Sequence, residues 1–211
     1  MIAVIDYGMG NLRSVAKALE RVGADVEVTS DPDRIEDADG VVLPGVGAFG
    51  KCMENLRGAG LEGTVRAVAK AGTPFLGICV GMQILFEESE EFGPVPGLGI
   101  LPGRVKRFVP RDATQKVPHM GWNTLEVRHR VPVLRGVADG AYAYFVHSYY
   151  VETDDPSLVA STTPYGSSFA SSVARENLFA TQFHPEKSQA VGLKMLENFI
   201  ESAGGAARAR A

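Results

Sequence analysis

Cysteine is scarce in this chain: two in 211 residues, Cys52 and Cys79. Two thiols at this length build no disulfide framework, which fits a reducing, cytoplasmic setting. No apolar run approaches the length that spans a bilayer. The opening Met1-Ile2-Ala3-Val4-Ile5-Asp6 has no basic leader and meets Asp6 at once, so it reads as a first strand, not a signal peptide. Positive charge is not in excess either: the net charge of −4 leaves no nucleic-acid footprint. There is no internal repeat. One glycine is missing where a nucleotide site would need it: Gly8-Met9-Gly10 is followed by Arg13 at the third fingerprint position, and Glu27 is the only nearby acid.

What is present is an ordinary globular composition, 45% hydrophobic and 22% charged, enough for one large domain with a sizeable core. Short apolar runs at Ile2 to Asp6, Asp25 to Thr29, Gly40 to Leu43 and Phe75 to Ile78 read as buried strands. Leu12, Val15, Leu19 and Val22 keep helical spacing until Gly23, and a second helix is expected from about Leu61 to Ala71. Strands alternating with helices predict an α/β fold, an open and mostly parallel sheet with flanking helices. After Glu88 the texture changes to short candidate strands: 105–109, 122–127, 141–151, 158–162, 169–174 and 179–183. These predict an antiparallel extension of the sheet within the same domain. A last helix is expected from about Gln189 to Ser202. Residues 1–203 form the domain in this reading, and the low-complexity stretch 204–211 a frayed tail.

The chain is organised around Thr73-Pro74-Phe75-Leu76-Gly77-Ile78-Cys79-Val80-Gly81-Met82-Gln83. Gly77 and Gly81 flank Cys79 at i−2 and i+2, the spacing of a nucleophile elbow. A turn that sharp strains its central residue and tolerates no Cβ on either side. It lifts the thiol above the strand end, against a helix N-terminus whose free N–H groups favour a thiolate. A buried core cysteine in a glycine-rich turn is the plainer alternative.

A cysteine nucleophile needs a base. Of four histidines, His184 stands out in Phe183-His184-Pro185-Glu186. On an extended segment residues i and i+2 point the same way, and Pro185 keeps the segment from turning helical. Glu186 can therefore hold the His184 ring, the relation of base to orienting acid in a triad. The strand before it delivers the pair to a C-terminal sheet edge, where sites form in open α/β sheets. Acyl chemistry also needs N–H donors for an oxyanion; Val80 N–H and the segment Gly45-Val46-Gly47 are the candidates. The histidines do not cluster with Cys52, which reads as a structural thiol, and no metal or other cofactor is called for.

The elbow together with Gln182-Phe183-His184-Pro185-Glu186 resembles the class I (triad) glutamine amidotransferases, over nearly the whole chain. Asp6-Tyr7-Gly8-Met9-Gly10-Asn11, Pro44-Gly45-Val46-Gly47-Ala48-Phe49 and Pro118-His119-Met120-Gly121-Trp122-Asn123 narrow the resemblance to the glutaminase subunits of imidazole glycerol phosphate synthase, in histidine biosynthesis. The resemblance implies Cys79, His184 and Glu186 as catalytic residues. It implies Gly47, Gln83, Ser148 and Tyr149 against glutamine, with Gly45, Val46, Gly47 and Val80 around the oxyanion. It implies a heterodimer with a (β/α)8-barrel cyclase subunit that receives the ammonia, and interface or gating roles for Asn11, Met120, Trp122, Asn123 and Lys187. An amide at Gly45-Val46-Gly47 is expected to stay turned away until the partner is loaded. A γ-glutamyl hydrolase, a non-catalytic partner subunit or an amidotransferase subunit of another pathway are the competing readings of the same residues.

Overall fold

The computed structural model describes residues 1–111 and 115–210, without the side chains of 205–210. Among the described residues thirteen strands follow in order: β1 Ile2–Ile5, β2 Val26–Thr29, β3 Gly40–Gly45, β4 Phe75–Cys79, β5 Glu88–Ser89, β6 Val95–Pro96, β7 Arg104–Arg107, β8 His119–Val127, β9 Ala141–His147, β10 Tyr149–Glu152, β11 Val159–Tyr165, β12 Ser167–Arg175 and β13 Leu178–Thr181. Nine make one sheet, ordered β2-β1-β3-β4-β13-β12-β11-β8-β9. The first five of that order run parallel, and the remaining pairs are antiparallel. The predicted mostly parallel sheet with an antiparallel extension is therefore the fold. The rest form a small second sheet, β10-β7-β5-β6.

Six α-helices accompany them among the described residues: α1 Leu12–Arg21, α2 Pro32–Glu36, α3 Phe49–Gly58, α4 Glu62–Lys70, α5 Val80–Gln83 and α6 Gln189–Arg210. No described helix is long and apolar enough to cross a membrane. β1, β3 and β4 are buried along their whole length because helices cover both faces. Phe49, Phe75, Phe86, Phe145, Phe183 and Phe199 are among the largest fully buried side chains. Each contributes about 1.5–3 kcal/mol relative to exposure.

Two helices escape the sequence reading, and α6 runs past Ser202 to Arg210. In α2, Asp31 caps the helix by accepting from Asp33 N–H at 3.0 Å with Pro32 next in line, a sound start signal on only five residues. In α3, Phe49, Cys52, Met53 and Leu56 are all fully buried at helical spacing; the glycine-rich approach 44–50 hides that pattern. The expected run 141–151 is two strands in two sheets, broken at Ser148.

The curl of the antiparallel half matters for the site. The edge strand β9 comes back against the segment that follows β13. His184 N–H donates to the Tyr144 carbonyl at 3.0 Å, Tyr144 N–H donates to Ser188 Oγ at 3.0 Å, and the Phe145 and Phe183 rings meet edge to face. Residues 38 to 44 positions apart are thereby locked together at the C-terminal rim of the parallel strands.

Candidate active site

Cys79 ends β4 with φ 56° and ψ −111°, a left-handed conformation for a residue that is not glycine. Such strain persists only where the surroundings over-determine it. A Cβ on Gly81 would lie 2.0 Å from the Leu43 carbonyl oxygen, and one on Gly77 would lie 3.0 Å from Gly81 O and from Ala180 Cβ. The glycines are there because β3 and β13 press on the turn from both sides. Gly45 is equally confined: its Cβ would sit 2.5 Å from Gly81 N. One expectation is corrected here. The helix after Cys79 is a single four-residue turn, too short for a developed macrodipole to act on the sulfur.

His184 follows β13, directly beside β4 in the sheet. Glu186 Oε1 accepts from His184 Nδ1 at 2.8 Å, and both side chains are nearly inaccessible. The Cys79 thiol faces the same cavity as this ring. Burial presses the imidazole toward the neutral form, but the bonds to Cys79 and Glu186 and their negative charge outweigh it. The result is a histidine raised to about 10. An imidazolium between sulfur and carboxylate is thus the favoured resting form.

Cys79 and His184 line one cavity of about 350 Å³, with Val46, Gly47, Val80, Gln83, Ser148, Tyr149 and Lys187 around it. A depression of about 770 Å³ elsewhere, walled by Glu87, Glu88, Arg104 and Glu152, carries no nucleophile. Gly45 supports the cavity from beneath rather than lining it; it pairs with Cys79 across the sheet. Gly47 has φ +85°, and the Val46 carbonyl accepts from Cys52 Sγ at 3.4 Å. Burial pushes the Cys52 thiol up to about 11, so it stays a donor and tethers the loop.

Gln83 spends both of its amide hydrogens inside the fold, on the Tyr149 carbonyl at 3.1 Å and on Gln182 Oε1 at 2.9 Å. Only its Oε1 is left to meet a ligand. Gln182 Nε2 faces Cys79 Sγ at 3.8 Å. Sequence reasoning gave Gln182 no role, although its position two before His184 was a usable signal. Glu91, whose carboxylate accepts from Phe49 N–H at 2.6 Å, also borders the cavity; nothing in its local sequence marks it.

Of the expected interface residues, Lys187 lines this cavity. Met120 and Trp122 are 63% and 46% exposed, unusual for such side chains. Trp122 packs edge-on against Tyr144, and Lys187 Nζ lies 5.9 Å above the same ring. Asn123 is half-buried, its Nδ2 donating to the Pro164 carbonyl at 2.9 Å. Asn11 is half-buried at the N-terminal end of α1.

Comparison with known proteins agrees with this geometry. The family model for glutamine amidotransferase class-I matches residues 3–203. A protein of Nitrosococcus oceani named imidazole glycerol phosphate synthase subunit HisH is 56% identical over 201 residues, 94% of this chain and 96% of its own. Its namesakes in Syntrophotalea carbinolica and Archaeoglobus fulgidus are each 53% identical, covering 94% and 95% of this chain and 98% of their own. Among solved structures, a glutamine amidotransferase shares the fold at TM-score 0.74 and 22% identity, covering 97% of this chain and all of its own. The chain belongs to the class-I glutamine amidotransferase family, among the HisH subunits of imidazole glycerol phosphate synthase.

Proposed function

We propose that the Cys79 thiolate attacks the side-chain carboxamide carbon of glutamine, with His184 as acid and base and Glu186 as its orienting acid. The observation that carries this is that Cys79 and His184 line one cavity while Glu186 holds the imidazole from its other side at 2.8 Å. Attack forms the C–S bond and moves the carbonyl electrons onto oxygen. N–H groups of Val80 and of the Gly45-Val46-Gly47 segment face that charge. The His184 imidazolium gives its proton to the departing amine, and ammonia leaves as the carbonyl re-forms. The γ-glutamyl thioester remains. Water then gives a proton to His184, its oxygen attacks the thioester carbon, and glutamate departs as the thiolate is restored. Gln83, Ser148 and Tyr149 hold the glutamine.

The ammonia passes to a (β/α)8-barrel cyclase subunit, in the cytoplasm, as a heterodimer serving histidine biosynthesis. Support comes from the named relatives and from the exposed Met120 and Trp122, with Lys187 over the Tyr144 ring that Trp122 packs against; Asn11 and Asn123 complete the contact in this reading. Partner control acts on the oxyanion loop. Rotation of the Val46–Gly47 peptide must give up the Cys52 bond to the Val46 carbonyl, so the loop has two states and the partner selects one. Residues 1–203 are the working domain in this reading.

Glutamate and ammonia release from free glutamine, measured with and without a cyclase subunit, tests the assignment. Strong stimulation by the cyclase supports it; equal rates, or cleavage of γ-glutamyl peptides instead, favour a γ-glutamyl hydrolase. Trp122→Ala is expected to weaken the complex by roughly 2 kcal/mol, about thirtyfold, in isothermal titration.

The pH dependence has a definite sign. Folding raises His184 from the ordinary imidazole value of 6.5 to about 10. Its stabilising contribution is complete below the lower value and is lost as pH rises through the upper one. The acid that protonates the leaving amine is lost over the same range. Glutamine-dependent kcat/KM in the complex is therefore expected to show its alkaline limb near pH 10, not near the ordinary imidazole value; stopped pH-rate measurements check this.

A further inference from the structure

At the cavity wall, which His147 itself lines, a set of buried polar side chains has one consistent direction of hydrogen-bond donation. A carbonyl oxygen can only accept, so His147 Nδ1, 2.7 Å from the Tyr149 carbonyl, carries a hydrogen. Burial pushes His147 down to about 3, so the ring is neutral and its Nε2 is bare. The atom facing that nitrogen is His119 Nδ1 at 3.0 Å, which must therefore donate. His119 is neutral too, pushed down to about 4 by burial. Its Nε2 then accepts, and Asn123 Nδ2 stands 3.2 Å away to donate.

The outer end is fixed independently. Asn123 Oδ1 accepts from Thr124 N–H at 2.8 Å, and Nδ2 also donates to the Pro164 carbonyl. That sets the amide orientation without reference to the histidines, and it agrees with the sense deduced from Tyr149. At the inner end, the Tyr149 carbonyl also accepts from Gln83, which donates to Gln182, which faces the Cys79 sulfur.

His119 and His147 stand opposite each other on β8 and β9, both buried among Phe108, Phe145 and Phe169. A pair of aromatic residues would fill that space without the cost of burying four ring nitrogens. We infer that His119 and His147 are positioning residues for glutamine cleavage. They form a one-way hydrogen-bond chain from Asn123, beside the exposed Met120 and Trp122, to the carbonyl that holds Gln83 and Gln182 against Cys79. This deepens the proposed glutaminase reaction and rests on it.

The test uses the whole chain labelled with ¹⁵N-histidine. At neutral pH two rings should be neutral with hydrogen on Nδ1 and a bare Nε2, the minor tautomer of free histidine. Asn123→Asp places an acceptor where the chain needs a donor. His119 should then acquire hydrogen on Nε2, and glutamine-dependent kcat in the cyclase complex at saturating partner should fall about tenfold or more, with KM little changed. Hydrogen on Nε2 of either buried ring in the native chain overturns the inference, and this reading stands even where the variant fails to fold. An unaltered His119 or unaltered kcat in Asn123→Asp overturns it as well. If Cys79 proves dispensable for glutamine cleavage, the proposed function itself fails, whatever the tautomers; if Cys79 is required and the tautomers are wrong, only the chain of histidines falls.

Discussion

Cys79→Ala is expected to cut glutamine-dependent turnover by the complex about 10⁴-fold or more, and to leave ammonia-dependent turnover intact. The asymmetry is the informative part. Ammonia supplied from solution bypasses the thioester, so the partner's chemistry does not need the sulfur. Cys52 cannot substitute. It is fully buried, it is tied to the Val46 carbonyl, and its thiol is pushed up to about 11. Parallel assays with glutamine and with an ammonium salt measure the effect. Residual glutamine turnover near the wild-type rate would remove Cys79 from the mechanism and leave the strained elbow without a purpose.

The second large effect belongs to Glu186→Gln. Oε1 of this carboxylate is 2.8 Å from His184 Nδ1 and is nearly inaccessible, so no water replaces it. Its charge helps hold the imidazolium. An amide in its place removes that charge and can present N–H groups to Nδ1, which forces the hydrogen to the other nitrogen. The ring is then in the wrong tautomer to take the thiol proton. A loss of about 10²–10⁴-fold in kcat is expected, with KM nearly unchanged, and the alkaline limb should move to lower pH. A variant that loses thermal stability but keeps kcat would make Glu186 a structural residue only.

These two residues were legible in the sequence because their geometry is local. Glycines two before and two after Cys79 describe a turn, and the close contacts at Gly77 and Gly81 show what they make room for. His184 and Glu186 lie on one three-residue segment, but Pro185–Lys187 is a 3-10 turn and not the expected extended run; that turn, with His184 at its start, brings the carboxylate to the ring. The parallel strands were legible for a related reason: burial on both faces writes continuous apolar runs such as Val41 to Leu43.

What the sequence hid depends on long-range pairing. Gln182 and Gln83 meet across 99 positions, and no periodicity announces that. His119 and His147 become neighbours only through the β8–β9 register; read singly, each is one histidine in an apolar stretch. Glu91 reaches the cavity through a bond to a backbone 42 residues away. The reading of α3 failed for a different reason. Glycines at 45, 47 and 50 look like a loop, yet the helix begins at Phe49, on the approach to the turn that carries Val46 and Gly47.

The most direct test of the central claim is peptide mapping after exposure of the complex to a chloroketone analogue of glutamine. Alkylation of Cys79 alone, blocked by excess glutamine, is the predicted result. Label on Cys52 instead, or label on Cys79 that glutamine does not prevent, would contradict it.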